Sequence, residues 1–462
     1  MKNSIFKLLI SCITLVIICS LSGCKKFLQV DSPISKAERA KVFADDQTAT
    51  AATLGLYHQM TAYSIAFNNG AITIYTGLSA DEIQNPNADA TYDAFKANAL
   101  PSDNAILAST LWSNAYKIIF QANATIEGLN ASNTVTPALK QQLLGEMLYI
   151  RALEYFYMVN LFGAVPLELT TDYRLNGTMP RTPVEKVYEQ ITLDLIQSAA
   201  NLKPGFSTAV NTRPNEAAAL ALLARVYLYQ NKWNLAEQYA SQVINSNKFV
   251  LSNLNAAFIS SSTETLFQLM KSTGNTSEAG IFVPFSTTII PTFKITESLL
   301  NSFEAGDNRK TTWMKSTLIN GQTYYYPNKY KVNAALPVSE FYIVQRLAEI
   351  YLIRSEARTQ LDNLNNAIVD LDMLRERAGL PKIQSTYPSI NKADLLNAIA
   401  KERRIELFAE WGHRWFDLKR TGKSTEVLGL EKGSNWQPHD ELYPIPFSEL
   451  QLNPALTQNP GY

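Results

Sequence analysis

The chain of 462 residues carries 41 Lys and Arg against 41 Asp and Glu, and 46% of it is hydrophobic. A body without net charge offers no electrostatic basis for binding nucleic acid, and this length can bury a large core, as one big domain or two smaller ones. Three cysteines and three scattered histidines (His58, His413, His439) argue against a metal site built on either residue.

The N-terminus reads as an export signal. Lys2 and Lys7 accompany a short apolar run from Ile5 to Leu21, and no later segment approaches the ~20 apolar residues of a spanning helix. The run ends on Leu21–Ser22–Gly23–Cys24, which resembles the lipobox of bacterial lipoproteins. That resemblance implies that residues 1–23 are removed, that the Cys24 thiol takes a diacylglycerol and that the new amine is acylated. The chemistry suits the residues: a thiolate is the nucleophile and small neighbours leave it accessible. Several acyl chains anchor stably where one attaches only reversibly. Cys12 and Cys19 fall in the removed signal, so the mature chain is expected to keep no free thiol, no disulfide and no cysteine nucleophile. Loss of Lys2 and Lys7 leaves 39 basic residues against 41 acidic ones.

"SADEIQNPNADATYDAF", Ser79–Phe95, is the first stretch with ligand chemistry. Asp81, Glu82 and Asn85 can grip sugar hydroxyls, and Tyr92 can take the apolar face of a pyranose; a solvated turn is the alternative. Adjacent Asp81 and Glu82 point to opposite sides of an extended chain, which argues against a catalytic pair. The acidic spacing lacks the glycine and terminal glutamate of a calcium loop, so no metal or other cofactor is expected.

Helical periodicity dominates the segments beyond residue 136. Thr136–Gly163 opens on Thr–Pro, closes on Gly163 and carries Leu143, Met147, Ile150 and Leu153 as an apolar stripe. Thr182–Leu202 is a second helix, ended by Pro204–Gly205. In residues 216–246, Ala224 precedes Ala236 by twelve positions, and in 340–378 Ser355 precedes Ala367 by the same twelve. Small residues so spaced are what tetratricopeptide hairpins need, because antiparallel helices approach closely only where side chains are small. The second block departs from the pattern at Arg358, where an aromatic is usual. The two blocks also lie over a hundred residues apart, which predicts repeat-like units without a continuous solenoid.

Between the blocks, 247–339 is rich in Ser, Thr, Asn, Pro and aromatics and reads as loops and short strands. Within it Trp313, Tyr324, Tyr325, Tyr326 and Tyr330 surround an Asn320–Gly321 hairpin signal. Tyr324 and Tyr326 share one strand face and Tyr325 takes the other. Trp313, Tyr324 and Tyr325 are therefore candidates for a ligand platform, with packing on the helical body as the alternative. Tyr63, Phe67, Tyr75 and Trp436 are weaker candidates of the same kind, whereas Trp112 and Tyr116 read as core.

In "KERRIELFAEWGHRWFDLKR", Glu402, Glu406 and Glu410 stack every fourth residue. Such a stripe repels itself unless cations answer it, and Arg403, Arg404 and Arg414 have suitable spacing. Carboxylates crowded by arginines have lowered pKa values, which fits an ion-pair bolt and not a glycosidase's general acid. Trp411, Trp415 and Phe416 are expected beneath it.

Taken together, "CKKFL" after the lipobox, Leu111–Leu129, Gly145–Leu167, Ala348–Ala357, Glu402–Gly422 and the closing "LYPIPFSELQLNPALTQNPGY" resemble the SusD/RagB surface lipoproteins. The resemblance runs from Cys24 to Tyr462 and implies a single SusD-like domain, with regions at about 24–230 and 231–462. It implies a mainly α fold: four tetratricopeptide-like helix pairs and a loop-rich, variable half that binds ligand. It further implies capture of oligosaccharides, or in some branches peptides, and their delivery to a SusC-like TonB-dependent transporter in the outer membrane, without catalysis. The residues alone leave open a periplasm-facing repeat scaffold or, more remotely, a glycan hydrolase.

Overall fold

The computed structural model describes residues 39–203, 210–271, 273–334 and 336–462, so Cys24 and the export signal lie outside the described residues. Helices dominate, and the strands are short antiparallel pairs. Seven helices stack in chain order, each against its predecessor: Asn114–Ala131, Pro137–Phe162, Val184–Asn201, Glu216–Tyr229, Trp233–Asn245, Leu347–Gln360 and Leu364–Arg377. Pro137 opens the second of these, where its missing N–H costs nothing, and Gly163 at φ +72° ends it. Asn215 caps the fourth by accepting the Ala218 N–H.

The repeat expectation needs one correction. The chain leaves the stack after Asn245 and returns at Leu347, yet Leu347–Gln360 packs directly on Trp233–Asn245. Two helical hairpins that are distant in sequence are thus consecutive in space, and the intervening hundred residues form an excursion from a continuous stack. Ala224, Ala236, Ser355 and Ala367 are all fully buried, and the Ser355 hydroxyl donates to the Ala367 carbonyl at 2.8 Å, the close approach that the small residues permit. Arg358 has its own reason: it bonds Glu237 at 3.1 Å and Asp370 at 2.9 Å, linking the hairpin before the excursion to the one after it.

Buried charge pairs join the layers. Arg151 grips Asp194 through two bonds of 2.7 Å. Across the excursion, Arg225 grips Glu349 at 2.5 and 2.6 Å and also donates to the Tyr157 hydroxyl. The excursion, with residues 64–100, makes the other half of the molecule. It holds the pairs Ile83–Gln84 with Lys294–Ile295, Thr265–Leu269 with Tyr342–Arg346, and the hairpin Met314–Ile319 with Gln322–Pro327. Asn320 and Gly321 turn that hairpin at φ +51° and +78°, as the Asn–Gly signal predicts.

Candidate functional site

Two stretches singled out in the sequence, more than two hundred residues apart, meet through a third. Ile83 and Gln84 pair with Ile295 and Lys294, and that short strand lies beside Gln322–Pro327 of the hairpin. Asp89 caps helix Ala90–Ala97 by accepting the Thr91 and Tyr92 N–H groups. The cap sets the helix so that Tyr92 meets Phe293 edge-on at 4.9 Å, while Phe95 is buried against Tyr75 and Tyr443. The Thr317 hydroxyl of the hairpin donates to the carbonyl of Thr287, holding the 283–290 loop against the hairpin. Tyr92, Tyr324 and Tyr325 are half-buried along this assembly. Asn85 accepts the Asn87 N–H at 2.7 Å in a tight turn and is half-buried beside them.

Glu82 and Trp313 do not join this surface, and Asp81 touches only the wall of the polar cleft beside Gln84. Asp81 is buried and clamped by Arg414 at 2.7 and 3.1 Å and by Arg404 at 2.6 Å. Burial pushes its pKa up, but the two guanidiniums outweigh burial and hold it below the usual carboxylate range. Glu82 is buried next to it and, desolvated and repelled by Asp81, is pushed up to about 7. Trp313 is fully buried; its indole N–H donates to the Leu254 carbonyl at 2.8 Å and its ring packs on Phe258. Lys329, Arg346 and Arg377 lie over the same ring, which makes it the floor of the ion-pair network. Phe67, Tyr75, Tyr326, Tyr330 and Trp436 are also core, and Tyr63 is exposed. The expected alternation of the hairpin tyrosines is therefore not clean, because Tyr326 is buried while Tyr324 on the same face is only partly covered.

Sequence reasoning missed three apolar side chains of this half. Phe285 and Ile289 on the 283–290 loop, and Leu318 on the hairpin, are 78%, 48% and 69% exposed. The signal was legible: "FSTTII" sets large apolar residues inside a Ser/Thr turn with no helical or strand period to bury them. Beside Gln84, a polar cleft of about 330 Å³ runs along helix Ala90–Ala97, bordered by Asp93, Lys96, Glu431 and Asn435. The Lys432 ammonium at its end is spent on the Leu78 and Ser79 carbonyls and Asn98.

The glutamate stripe is an ion-pair bolt, but with other cations than those expected. Glu406 accepts from Arg346 at 2.5 Å, Arg309 at 3.0 Å and Arg377; Glu402 takes Arg309 at 2.5 Å; Glu410 takes Arg346 at 2.8 Å and Lys329 at 2.5 Å. Arg403 instead pairs with Asp417, while Arg404 and Arg414 hold Asp81. The stripe is not the single helical face expected: the helix Lys392–Glu406 stops at Leu407, Glu410 sits in a turn where Ala409, Trp411 and Gly412 take positive φ, and Arg414 lies on a second helix, His413–Arg420. The three glutamates face Arg309, Lys329 and Arg346 of the excursion, whereas Arg404 and Arg414 face Asp81. Burial opposes ionisation of all three glutamates. Three guanidiniums override it at Glu406, and Arg346 with Lys329 overrides it at Glu410. At Glu402 burial wins and the pKa is raised, contrary to the expectation. Trp411, Trp415 and Phe416 are buried beneath, as expected. His413 is buried too and, desolvated, falls to about 4, which suits packing and not proton transfer. Among the described residues no cluster of three metal-ligating side chains occurs and no helix is long and apolar enough to cross a membrane.

Comparison with known proteins places this architecture. The profile described as "SusD family" matches residues 222–462, and the one described as "Starch-binding associating with outer membrane" matches 26–228. A SusD-like protein of Formosa agariphila is 27% identical over 97% of this chain and 98% of its own length. The starch-binding protein SusD of Bacteroides thetaiotaomicron is 23% identical over 72% of this chain and 75% of its own. A SusD superfamily structure from Bacteroides vulgatus superposes with a TM-score of 0.81 at 19% identity, covering 91% of this chain and all of that one. A laminarin-binding SusD-like protein does so with a TM-score of 0.75 at 26% identity, covering 90% and 99%. With its C-terminal half matched by the family profile and the helical stack shared with those structures, this chain belongs to the SusD family.

Proposed function

We propose that the protein is a lipid-anchored capture protein of the outer membrane that holds an oligosaccharide and passes it to a SusC-like TonB-dependent transporter. The observation that carries this reading is the joining of Tyr92 to the Tyr324–Tyr325 hairpin through the Lys294–Ile295 strand. Half-buried rings so held are stiff, and they offer stacking faces at small entropic loss. Gln84, Asn85 and the adjoining polar cleft supply hydrogen-bond partners for hydroxyls. The laminarin-binding relative supports a glycan ligand, and the outer-membrane wording of the N-terminal profile supports the location. Catalysis has no part in the reading: the carboxylates of the strongest motif are sealed by guanidiniums and cannot reach a substrate.

The lipid on Cys24 and the transporter partnership extend this reading from the lipobox and from the family. Laminarin and other glycans, with peptides as the competing class, are presented on an array to the full-length protein. A glycan is expected to bind, and Tyr92→Ala and Tyr324→Ala each to weaken it by roughly five- to thirtyfold with circular dichroism unchanged. Binding to peptides alone, or unaltered affinity in both variants, refutes the site. Co-purification with a TonB-dependent barrel tests the partnership separately.

A further inference from the structure

A second cleft lies on the helical side of the molecule, and no residue of the face described above lines it. Trp112, Tyr116 and Phe120 recur every fourth residue along the helical run 106–131, facing Tyr173 and the C-terminal helix Phe447–Leu452 across about 290 Å³. The Trp112 and Tyr116 rings stand 5.1 Å apart, and Phe120 and Tyr173 are 46% and 79% exposed. Tyr116, expected in the core, is only half-buried and forms part of this wall.

The polar groups of the cleft are one-sided. Every donor whose bond is defined is spent inside the protein. The Tyr116 hydroxyl donates to the Pro166 carbonyl at 2.8 Å. The Asn176 amide donates to Thr170 at 2.8 Å and the Asn453 amide to Met179 at 2.9 Å. The acceptors are idle: the Asn176 side-chain oxygen is buried with no donor among the described residues, and no described residue donates to the Glu168 carboxylate. Burial, and then the charge of Glu449, push Glu168 up to about 7, a shift that a cation seated beside it would reverse. No lysine or arginine lines the cleft. Nearby Arg181 is held by the Phe162, Ala164 and Thr457 carbonyls, and Arg174 by Asp172.

We infer that this cleft takes a lysine or arginine side chain of a polypeptide, its stem along the rings and its head on Glu168 and Asn176. An ammonium or guanidinium head only donates, matching a lining that only accepts, and it is attracted to aromatic faces. A sugar hydroxyl both donates and accepts, and the one donor these groups could offer it is the Glu168 carboxyl when protonated. The volume sits at the lower edge of the roughly 300–1,000 Å³ usual for ligand pockets, room enough for one long side chain.

The test is calorimetric titration of the full-length protein with N-acetyl-lysine methylamide, its arginine counterpart, the neutral isostere N-acetyl-norleucine methylamide, and glucosamine. The two cationic amides are expected to bind saturably and the norleucine amide roughly tenfold more weakly or not at all. Tyr173→Ala, at an exposed position that spares the fold, is expected to lower lysine affinity roughly threefold to tenfold, and Glu168→Gln at least as much. Norleucine binding as tightly as lysine reduces the cleft to an apolar hollow and overturns the inference. So does glucosamine binding more tightly than lysine, an absence of lysine binding, or indifference to both substitutions in proteins of unchanged circular dichroism.

Discussion

Replacing Glu406 by glutamine removes one charge from the centre of the buried network while keeping the side chain's shape. Glu406 is fully buried and answers Arg346, Arg309 and Arg377 together. Its carbonyl holds Arg346 at 2.7 Å and Lys329 at 2.8 Å as well. In Glu406→Gln the amide N–H₂ points donors at guanidiniums that themselves only donate, and the cations lose their principal counter-charge. Breaking a buried pair by removing one partner costs about 3–5 kcal/mol, and sharing among three arginines puts this site at the upper end. The exposed Lys186–Glu189 pair, with both side chains 63% accessible, is the internal control; its loss by Lys186→Ala is expected to cost under about 1 kcal/mol. Urea unfolding followed by tryptophan fluorescence reads both, as shifts in midpoint at constant slope. A loss from Glu406→Gln below about 1 kcal/mol, indistinguishable from the control, refutes the view that this network bolts the two halves together.

Trp313→Ala is expected to act on stability, lowering it by about 3–5 kcal/mol through the cavity it leaves under three cations. Glycan affinity in the protein that remains folded should be unchanged, and a selective loss of binding would return Trp313 to the ligand site. Glu154 is buried with Asn68 as its hydrogen-bond partner, and desolvation raises it to about 8. Because its folded pKa lies above its unfolded value near 4.5, the stability it contributes is complete below pH about 4.5 and is lost as pH rises towards 8. Glu154→Gln should flatten that part of the stability–pH curve, and an unaltered slope would show the carboxyl to be solvated. Cys24→Ala is expected to release the protein from membranes into the soluble fraction, and continued sedimentation with membranes would remove the anchor assignment.

The helical body was legible because its signals are local. Thr–Pro starts and glycine stops act within a turn, the small–twelve–alanine spacing acts within one helical hairpin, and the observed helices fall where those signals put them. What could not be read was the adjacency of Trp233–Asn245 and Leu347–Gln360. It depends on a hundred-residue excursion returning to its point of departure, and loop-closure entropy rises too slowly with length for sequence separation to forbid it. The charge network illustrates the same limit. The glutamate spacing announced that cations must answer, but the nearest arginines in sequence were the wrong ones. On one helix the acidic and basic residues point to different sides, so the partners of each must come from elsewhere.

That division explains why the candidate ligand residues separated as they did. Asp81 and Trp313 carry chemistry that looks like recognition, a carboxylate and an indole beside aromatic neighbours, yet each lies against an arginine-rich surface of the Glu402–Arg420 segment or its partners. Once desolvated there, a carboxylate is worth most as a counter-ion and an indole as a cation-stacking floor, so neither is left for a ligand. Tyr92, Tyr324 and Tyr325 lie one layer further out, Tyr92 on the helix Ala90–Ala97 and the other two on a hairpin beside the Lys294–Ile295 strand. The rigid ion-pair layer and the aromatic face are therefore successive shells of one architecture. Loosening the inner shell by Glu406→Gln should weaken ligand binding as well as stability, whereas Tyr92→Ala should weaken binding alone. If Glu406→Gln leaves affinity untouched in the protein that stays folded, the two shells are mechanically independent and the aromatic face is held by its own hairpin.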